Sequence, residues 1–586
     1  MSGFTFEKEN VLDARLVNEG AKVEMVRGSA STSKNTIQVS GGSPNTSSFQ
    51  WNVPLTSSGL ALDTFFYGEY QLTFDITIAN SGAAAVSTAA GPFLRPGVNF
   101  SMAPYPVSSL MGNSSISINE QQIMSYDVGQ YRELLLRMTD TQKLNPDQFC
   151  PSLVETSYAH YADAYLTNAN PMSSYADASF GTSFIPNGAF PIINAPVPTT
   201  PGYISNAGGV ALATGDSGKI QVIVNVSEPL LIAPCSWDRL KDNDGPCPFY
   251  VRSLNITCPI NVNANRFFRF NESFQLDTTE ANVNARINVT SVTLVGCSNA
   301  LLHYTTLQPA LLEGYSLPML SVHHTMDIVT NNVISPSAFA ATQLATVDVS
   351  LTNQNVTGMP RYVVVGAKKD ARASSASGGY SFSDASWFFP ISKLVVSLGN
   401  EQNILATYEQ EDLFIMSRKN GLKCDYVTFT GLSQTLGNPA GGFANSAVPV
   451  QLCSSPIIID VRDLKLPYNI VNGSSGNFTF NITATVQNNE TTNNGATWGT
   501  SKPMLAVAFL YDSYIVSDAA TLMTTVKRSF LSPTDPLEPA QIKSEAEVSP
   551  DGAVVGGAIH RMRASHAGPT NLSKSAAVAR LNKRIM

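Results

Sequence analysis

The stretch NFTFNITATV constrains this chain most. Phe478, Phe480, Ile482, Ala484 and Val486 fall on one side of an extended backbone, and Thr479, Asn481, Thr483 and Thr485 on the other. That spacing suits a strand, whose successive side chains point to opposite faces of a sheet. The same period recurs in YQLTFDITI (Tyr70, Leu72, Phe74, Ile76, Ile78), in KIQVIVNV (Ile220, Val222, Val224, Val226) and in ATVDVSL (Val347, Val349, Leu351). One apolar and one polar face per strand points to antiparallel sheets. Further strands are predicted at 48–53, 94–102, 249–262, 286–296, 321–329, 361–367, 391–398, 448–464 and 503–516. Strands do not alternate regularly with long helices, which argues against a parallel βαβ architecture.

At 586 residues the chain is too long for one ordinary domain. Charged residues make up 14%, and Asn, Ser and Thr take their place; uncharged polar outer strand faces account for this. The net charge of −8 leaves no general basic field for nucleic acid. Yet no acidic residue follows Asp551, while Arg561, Arg563, Lys574, Arg580, Lys583 and Arg584 do. Seven cysteines at low density do not make a disulfide scaffold, and Cys258, in phase with Leu254, Ile256 and Ile260, is expected to pack as a small hydrophobe. The start, MSGFTFEKEN, has no apolar signal region, and no apolar run is long enough to span a membrane. The Asn-x-Ser/Thr triplets then reflect composition.

Asn-Glu-Gln-x-Ile occurs at Asn119 and again at Asn400, 281 residues on. Ile116 and Ile118 precede the first copy in strand phase; Leu394, Val396 and Leu398 precede the second. An apolar helical stripe follows each: Tyr131, Leu134, Leu135 and Met138, then Leu413, Ile415 and Met416. The fixed offset sets Leu134 against Ile415 and Leu135 against Met416. The expected unit is strand, turn, helix, used twice in a duplicated domain. Tyr158, Tyr161 and Tyr165 suggest a short third helix. About eight antiparallel strands per copy suggest a jelly roll, and two in tandem a double jelly roll. The expected organisation is an N-terminal arm at 1–34, jelly roll 1 at 35–315 with a long insertion at about 143–217, jelly roll 2 at 316–530, and a linker with basic tail at 531–586.

Several stretches carry a family resemblance: PLLIAPCSW from Pro229, FYVRSLNITCPINVNANRFFRF from Phe249, RYVVVGAKKD from Arg361, and WFFPISKLVVSLGNEQNILATYEQEDLFIMSRKNG from Trp387. Over roughly 35–520 the chain resembles the double jelly-roll major capsid proteins of virophages, polinton-like viruses and adintoviruses. The resemblance implies a homotrimer, a pseudo-hexagonal tile of an icosahedral shell, assembled inside the host cell and meeting penton and minor capsid proteins. It places the 143–217 insertion among the outward or trimer-contact loops. VVGGA, from Val554, is similar to sites cut by adenovirus-type maturation proteases, which places a cut after Gly556 and Gly557, before Ala558; Val stands where Met, Ile or Leu is usual. The basic tail is expected to touch the genome or an internal partner.

Chemistry-bearing motifs are few. GDSGK at Gly215 lacks the rest of a serine-protease signature and reads as a turn. His323 and His324 are neighbours on a predicted strand, so alternation sends them to opposite faces. Cys235, Cys247 and Cys258 are spaced too widely for a zinc knuckle, and KDNDG at Lys241 lacks the further ligands of a calcium loop. No catalytic, cofactor or metal site is expected. A tandem β-sandwich spike binding glycans or receptors is the competing reading, and a carbohydrate-active β-sandwich enzyme a third.

Overall fold

The computed structural model describes residues 31–39, 46–54, 61–62, 66–80, 86–87, 94, 100–138, 157, 159, 193–194, 201–204, 211–232, 251–270, 287–308, 315–329, 333–335, 345–371, 373, 379–398, 401–436, 447–464, 477–489, 501–518 and 523–528. Its principal strands in the first half are β1 (Ser31–Gln38), β2 (Ser48–Pro54), β3 (Tyr67–Asn80), β4 (Asn113–Ile118), β5 (Gln121–Asp127), β6 (Ser217–Pro229), β7 (Ser253–Pro259) and β8 (Ile287–Gln308). In the second half they are β9 (Tyr315–Val329), β10 (Ala345–Thr357), β11 (Tyr362–Lys368), β12 (Ile391–Leu398), β13 (Glu401–Glu409), β14 (Ile457–Asp460), β15 (Asn477–Asn488) and β16 (Met504–Asp518).

The strands of the first half pair antiparallel in the orders β1-β8-β3-β6 and β2-β7-β4-β5; those of the second half pair as β9-β16-β11-β14 and β10-β15-β12-β13. Adding eight to each label of the first unit gives the second. Each order is that of a jelly roll, in which two sheets share Greek-key connections. The fold is therefore all-β and duplicated. Short strands extend the edges, such as Met523–Arg528 on β16.

Alternation does what the sequence suggests. Leu72, Phe74, Ile76 and Ile78 of β3 are buried, as are Val222, Val224 and Val226 of the adjacent β6. Phe480, Ile482, Ala484 and Val486 of β15 are buried and meet the other sheet, where Phe480 and Phe509 have ring centroids 5.3 Å apart. Phe49, Trp51 and Tyr70 form the matching aromatic contact between sheets in the first unit. Each fully buried side chain of this size stabilises by about 1.5–3 kcal/mol. Cys258 is buried among these residues, and burial pushes its thiol up to about 12, so it behaves as the expected small hydrophobe.

The Asn-Glu-Gln repeat needs correction. Asn119 and Glu120 form a two-residue turn, both at positive φ, between β4 and β5, with Ile118 opposite Gln121. The turn joins two strands of a hairpin, and β5 intervenes before the helix α1 (Val128–Met138). In the second unit Leu398 pairs with Glu401, so the hairpin connection there is residues 399–400. The matching hairpin positions lie 280 residues apart (Ile118 and Leu398). By the helix starts, Val128 and Gln410, the separation is 282. β13 is two residues longer than β5, and its pairing with β12 slips twice. The letters repeat at 281, an offset that fits neither element.

Consequently Ile415 is not a core position. The helix α2 (Gln410–Lys419) buries Leu413, Met416 and Ser417, and leaves Ile415 65% exposed. Leu134 matches Met416 and Leu135 matches Ser417. The predicted helix through Tyr158, Tyr161 and Tyr165 rests on residues outside those described.

Candidate functional site: the seam between the two units

The described residues bring the two jelly rolls together along a seam built mainly from four short segments. The first is α1. Asp127 caps it by accepting a 3.0 Å hydrogen bond from the Gln130 amide through Oδ1. Gly129 lets the first turn lie on residues 108–111, since a Cβ there would stand 2.7 Å from the Met111 carbonyl. All of Tyr131–Leu136 is buried, charged Arg132 and Glu133 included. A surface helix exposes one face; this one is enclosed because the second unit covers it.

That cover is the end of β11 and the segment 380–389. Lys368 Nζ donates to Glu133 Oε2 at 3.1 Å and to the Gln130 side-chain oxygen. Arg266, from the segment following β7, lies 3.6 Å from the other Glu133 oxygen. Its guanidinium donates to the carbonyls of Asp384 and Ala385 at 3.2 and 3.0 Å, and sits 4.1 Å from the Tyr380 ring centroid. Arg137 donates to the Ser386 carbonyl at 2.5 Å. Lys369 faces Asp384 at 3.9 Å and lies over the Trp387 ring. The Phe270 amide donates to the Phe382 carbonyl at 3.0 Å, and their rings meet edge to face.

Apolar contacts run through the same seam. Gly366 of β11 leaves room for Phe388 and for Leu134 of α1; a Cβ would come within 2.7 and 3.1 Å of them. Buried residues of both units form one continuous cluster. Two residues of the long insertion take part: the Ser157 carbonyl accepts from the Cys453 amide, and Ala159 exchanges backbone hydrogen bonds with Gln451 and Ala385.

Burial alone would raise the Glu133 carboxyl. Lys368, Arg266 and Arg132 outweigh it and hold that carboxyl below its ordinary value. Glu228, at the end of β6, is the opposite case. It accepts hydrogen bonds from the Val107 and Ser108 amides and the Ser108 hydroxyl, but burial wins and lifts its carboxyl to about 7. Neither carboxylate faces a nucleophile or a second acid across a cleft. Chemically the arrangement can hold two units together. It has no acid–base pair for a reaction.

Motifs outside the seam resolve as follows. Gly215, at φ 85°, and Asp216 form a turn leading into β6; the Ala213 amide donates to the Asp216 carboxylate. A register shift falls between Val322 and His324 in β9, so strict alternation does not assign faces to His323 and His324. Among the described residues no group of three His, Cys, Asp or Glu could hold a metal ion. No described helix is long and apolar enough to cross a membrane. Cys235, Cys247 and KDNDG lie outside the described residues. So do Gly556, Gly557, Ala558 and the tail cations Arg561, Arg563, Lys574, Arg580, Lys583 and Arg584.

The seam is not legible in the sequence. Its residues lie in RYVVVGAKKD, NRFFRF, QYRELLLRM and DASWFFP, several of them stretches that carried the family resemblance. The available signal was charge embedded in apolar runs: such residues are almost never fully buried unless paired.

Two jelly rolls in tandem, joined along a buried seam, define a double jelly-roll protein. Residues 5–302 match the family model of the Sputnik virophage major capsid protein first domain, and residues 323–508 match that of the major capsid protein V20 C-terminal domain. The chain belongs to the virophage major capsid protein family: it is a capsid component of the virion, structural and not catalytic. The cryo-EM structure of the Sputnik virophage contains a chain similar to this one at TM-score 0.64 and 16% identity, covering 96% of this chain and 99% of that one. The crystal structure of the mavirus major capsid protein is similar at TM-score 0.58 and 15% identity, covering 92% and 98%. These two likenesses concern the fold. A search of curated proteins finds no significant match.

Proposed function

We propose that three copies of the chain form a pseudo-hexagonal capsomer that tiles an icosahedral shell, assembled inside the host cell. The observation that supports this reading is the duplicated strand order joined by one buried seam. One chain then supplies two similar wedges held in fixed relation, and three chains supply six. Homo-oligomers favour such closed rings. The test is light scattering and negative-stain microscopy on the purified full chain. A particle of three times 62.7 kDa with a hexagonal outline is expected. A monomer that binds glycans would favour the spike reading instead.

The ends of the chain extend this reading. Cleavage between Gly557 and Ala558 would release the basic tail; intact-mass measurement on purified virions distinguishes a cut chain from a full-length one. The cations from Arg561 to Arg584 suit contact with packaged nucleic acid, which would weaken steeply with salt. If shells of a chain ending near residue 550 retain genome normally, the tail has no such role. Penton and minor capsid proteins are the further partners of this reading.

A further inference from the structure

α1 and α2 are the same helix of the two units. Each begins directly after the fifth strand of its unit, so Val128 matches Gln410. By that alignment the seam residues Gln130, Glu133 and Arg137 match Asp412, Ile415 and Lys419. The core positions also agree: Tyr131, Leu134 and Leu135 are buried in α1, as Leu413, Met416 and Ser417 are in α2. The other face differs. Glu133 is 1% exposed, because the second unit covers it, whereas Ile415 is 65% exposed. Asp412 and Lys419 are exposed as well.

Neighbouring structure enlarges this open face. The helix α3 (Tyr426–Thr430) is held at its start by Asp425, whose carboxylate accepts from the Thr428 amide at 2.9 Å, and at its end by Gly431 at φ 72°. Phe414 ties it to α2 through ring contacts with Tyr426 and Phe429. Burial and the nearby Glu411 carboxylate raise the Tyr426 hydroxyl above its ordinary value, and Glu411 lies one turn before Ile415 on the same side of α2. Ile415, Tyr426 and Val427 are the exposed large apolar residues of these two helices, among six in all the described residues.

We infer that the α2–α3 face, centred on Ile415, docks the first jelly roll of a second copy of this chain. This rests on the capsomer reading above and gives it a place on the surface. The argument is the internal repeat. In one chain, the helix after the fifth strand of unit 1 packs against the end of the third strand and the following segment of unit 2. The same helix of unit 2 keeps its core register, loses its cover, and carries an isoleucine where its counterpart carries a buried carboxylate. A contact that repeats unit 1 to unit 2, then unit 2 to the next unit 1, is head-to-tail, and such contacts make a ring where the rotation from unit to unit closes. The apolar substitution suits a face that exists in water before it is covered.

The test uses the full chain, wild type beside Ile415→Glu and Ile415→Glu/Val427→Glu, in light scattering over a dilution series with thermal melts. The expected result is a dissociation midpoint at least about tenfold higher for each variant with an unchanged melt of the dissociated chain. Hydrogen exchange on wild type is a second reading: amides of α2 and α3 should exchange more slowly in the oligomer than after dilution. A wild-type oligomer that both variants leave intact, with α2 exchanging alike in both states, overturns the inference and leaves the capsomer reading standing. A wild type that is monomeric at every concentration overturns both. Disulfide-linked dimers through Ile415→Cys would show α2 meeting itself, which also overturns it.

Discussion

Lys368 Nζ and Glu133 Oε2 lie 3.1 Å apart, with side chains 0% and 2% exposed, and the two residues belong to different jelly rolls. Neither charge has water to fall back on: Lys368 finds its carboxylate in the other unit, and Glu133 is held by Lys368 from across the seam together with Arg266 and Arg132 of its own unit.

Removing one partner should therefore be costly. Glu133→Ala leaves the Lys368 ammonium buried without its carboxylate, and an expected loss of about 3–5 kcal/mol in denaturant unfolding. The double variant Glu133→Leu/Lys368→Met should recover most of it, since well-packed apolar residues often replace a buried pair at little cost. A single-variant loss below about 1 kcal/mol would mean that water reaches the seam.

Acid should loosen the same contact. The Glu133 carboxyl is held below its unfolded value of 4.5, so its stabilisation is present above that pH and is lost as pH falls through the folded value. Glu133→Gln should show a shallower loss of stability below pH about 4 than wild type. Parallel acid-denaturation curves for the two would contradict this.

Glu228 predicts the opposite slope. Its folded value of about 7 lies above the ordinary 4.5, so the protonated form is favoured by folding. Its contribution is fully present below pH about 4.5 and is lost as pH rises through about 7. The stability difference between wild type and Glu228→Gln should shift in favour of the variant across that window. Urea midpoints measured from pH 4 to 8 would show it; a constant difference would not fit.

Gly366 tests the packing of the seam. Gly366→Ala drives a methyl to 2.7 Å from the Phe388 ring and 3.1 Å from Leu134. A loss of about 1–3 kcal/mol is expected. An unchanged melting temperature would show that the seam yields more easily than its burial indicates.

The hairpin turn offers a gain. Glu120 is exposed, at φ 69°, in a position where glycine carries no penalty. Glu120→Gly should stabilise by about 1 kcal/mol. Asn119→Gly should not, because the Asn119 carboxamide oxygen accepts from the Arg252 and Ser253 amides and ties the turn to β7.

Much of the fold could be read from local pattern. β3, β6, β10 and β15 are long, half-buried and antiparallel, so burial writes a period of two directly into their residues. β5 and β13 are hard to read because they sit between a turn and a helix. Register slips in their hairpins also break the period. Ile415 falls outside the core for a related reason: the letters repeat at one offset and the helices at another. The seam was less legible still. Gln130, Glu133 and Lys368 meet across 238 and 235 residues of chain, and nothing local to any of them specifies its partner.

The seam has a kinetic consequence. Its two sides are tethered through residues 309–314, between β8 and β9. A tether of that kind sets a local concentration in the millimolar range, however dilute the chain. Contacts between copies have no such tether and disappear on dilution. In a ring of three chains, then, half the joints are intramolecular and form while each chain folds. Only the other half respond to concentration, so such a shell would come apart into pairs of jelly rolls and not into single ones.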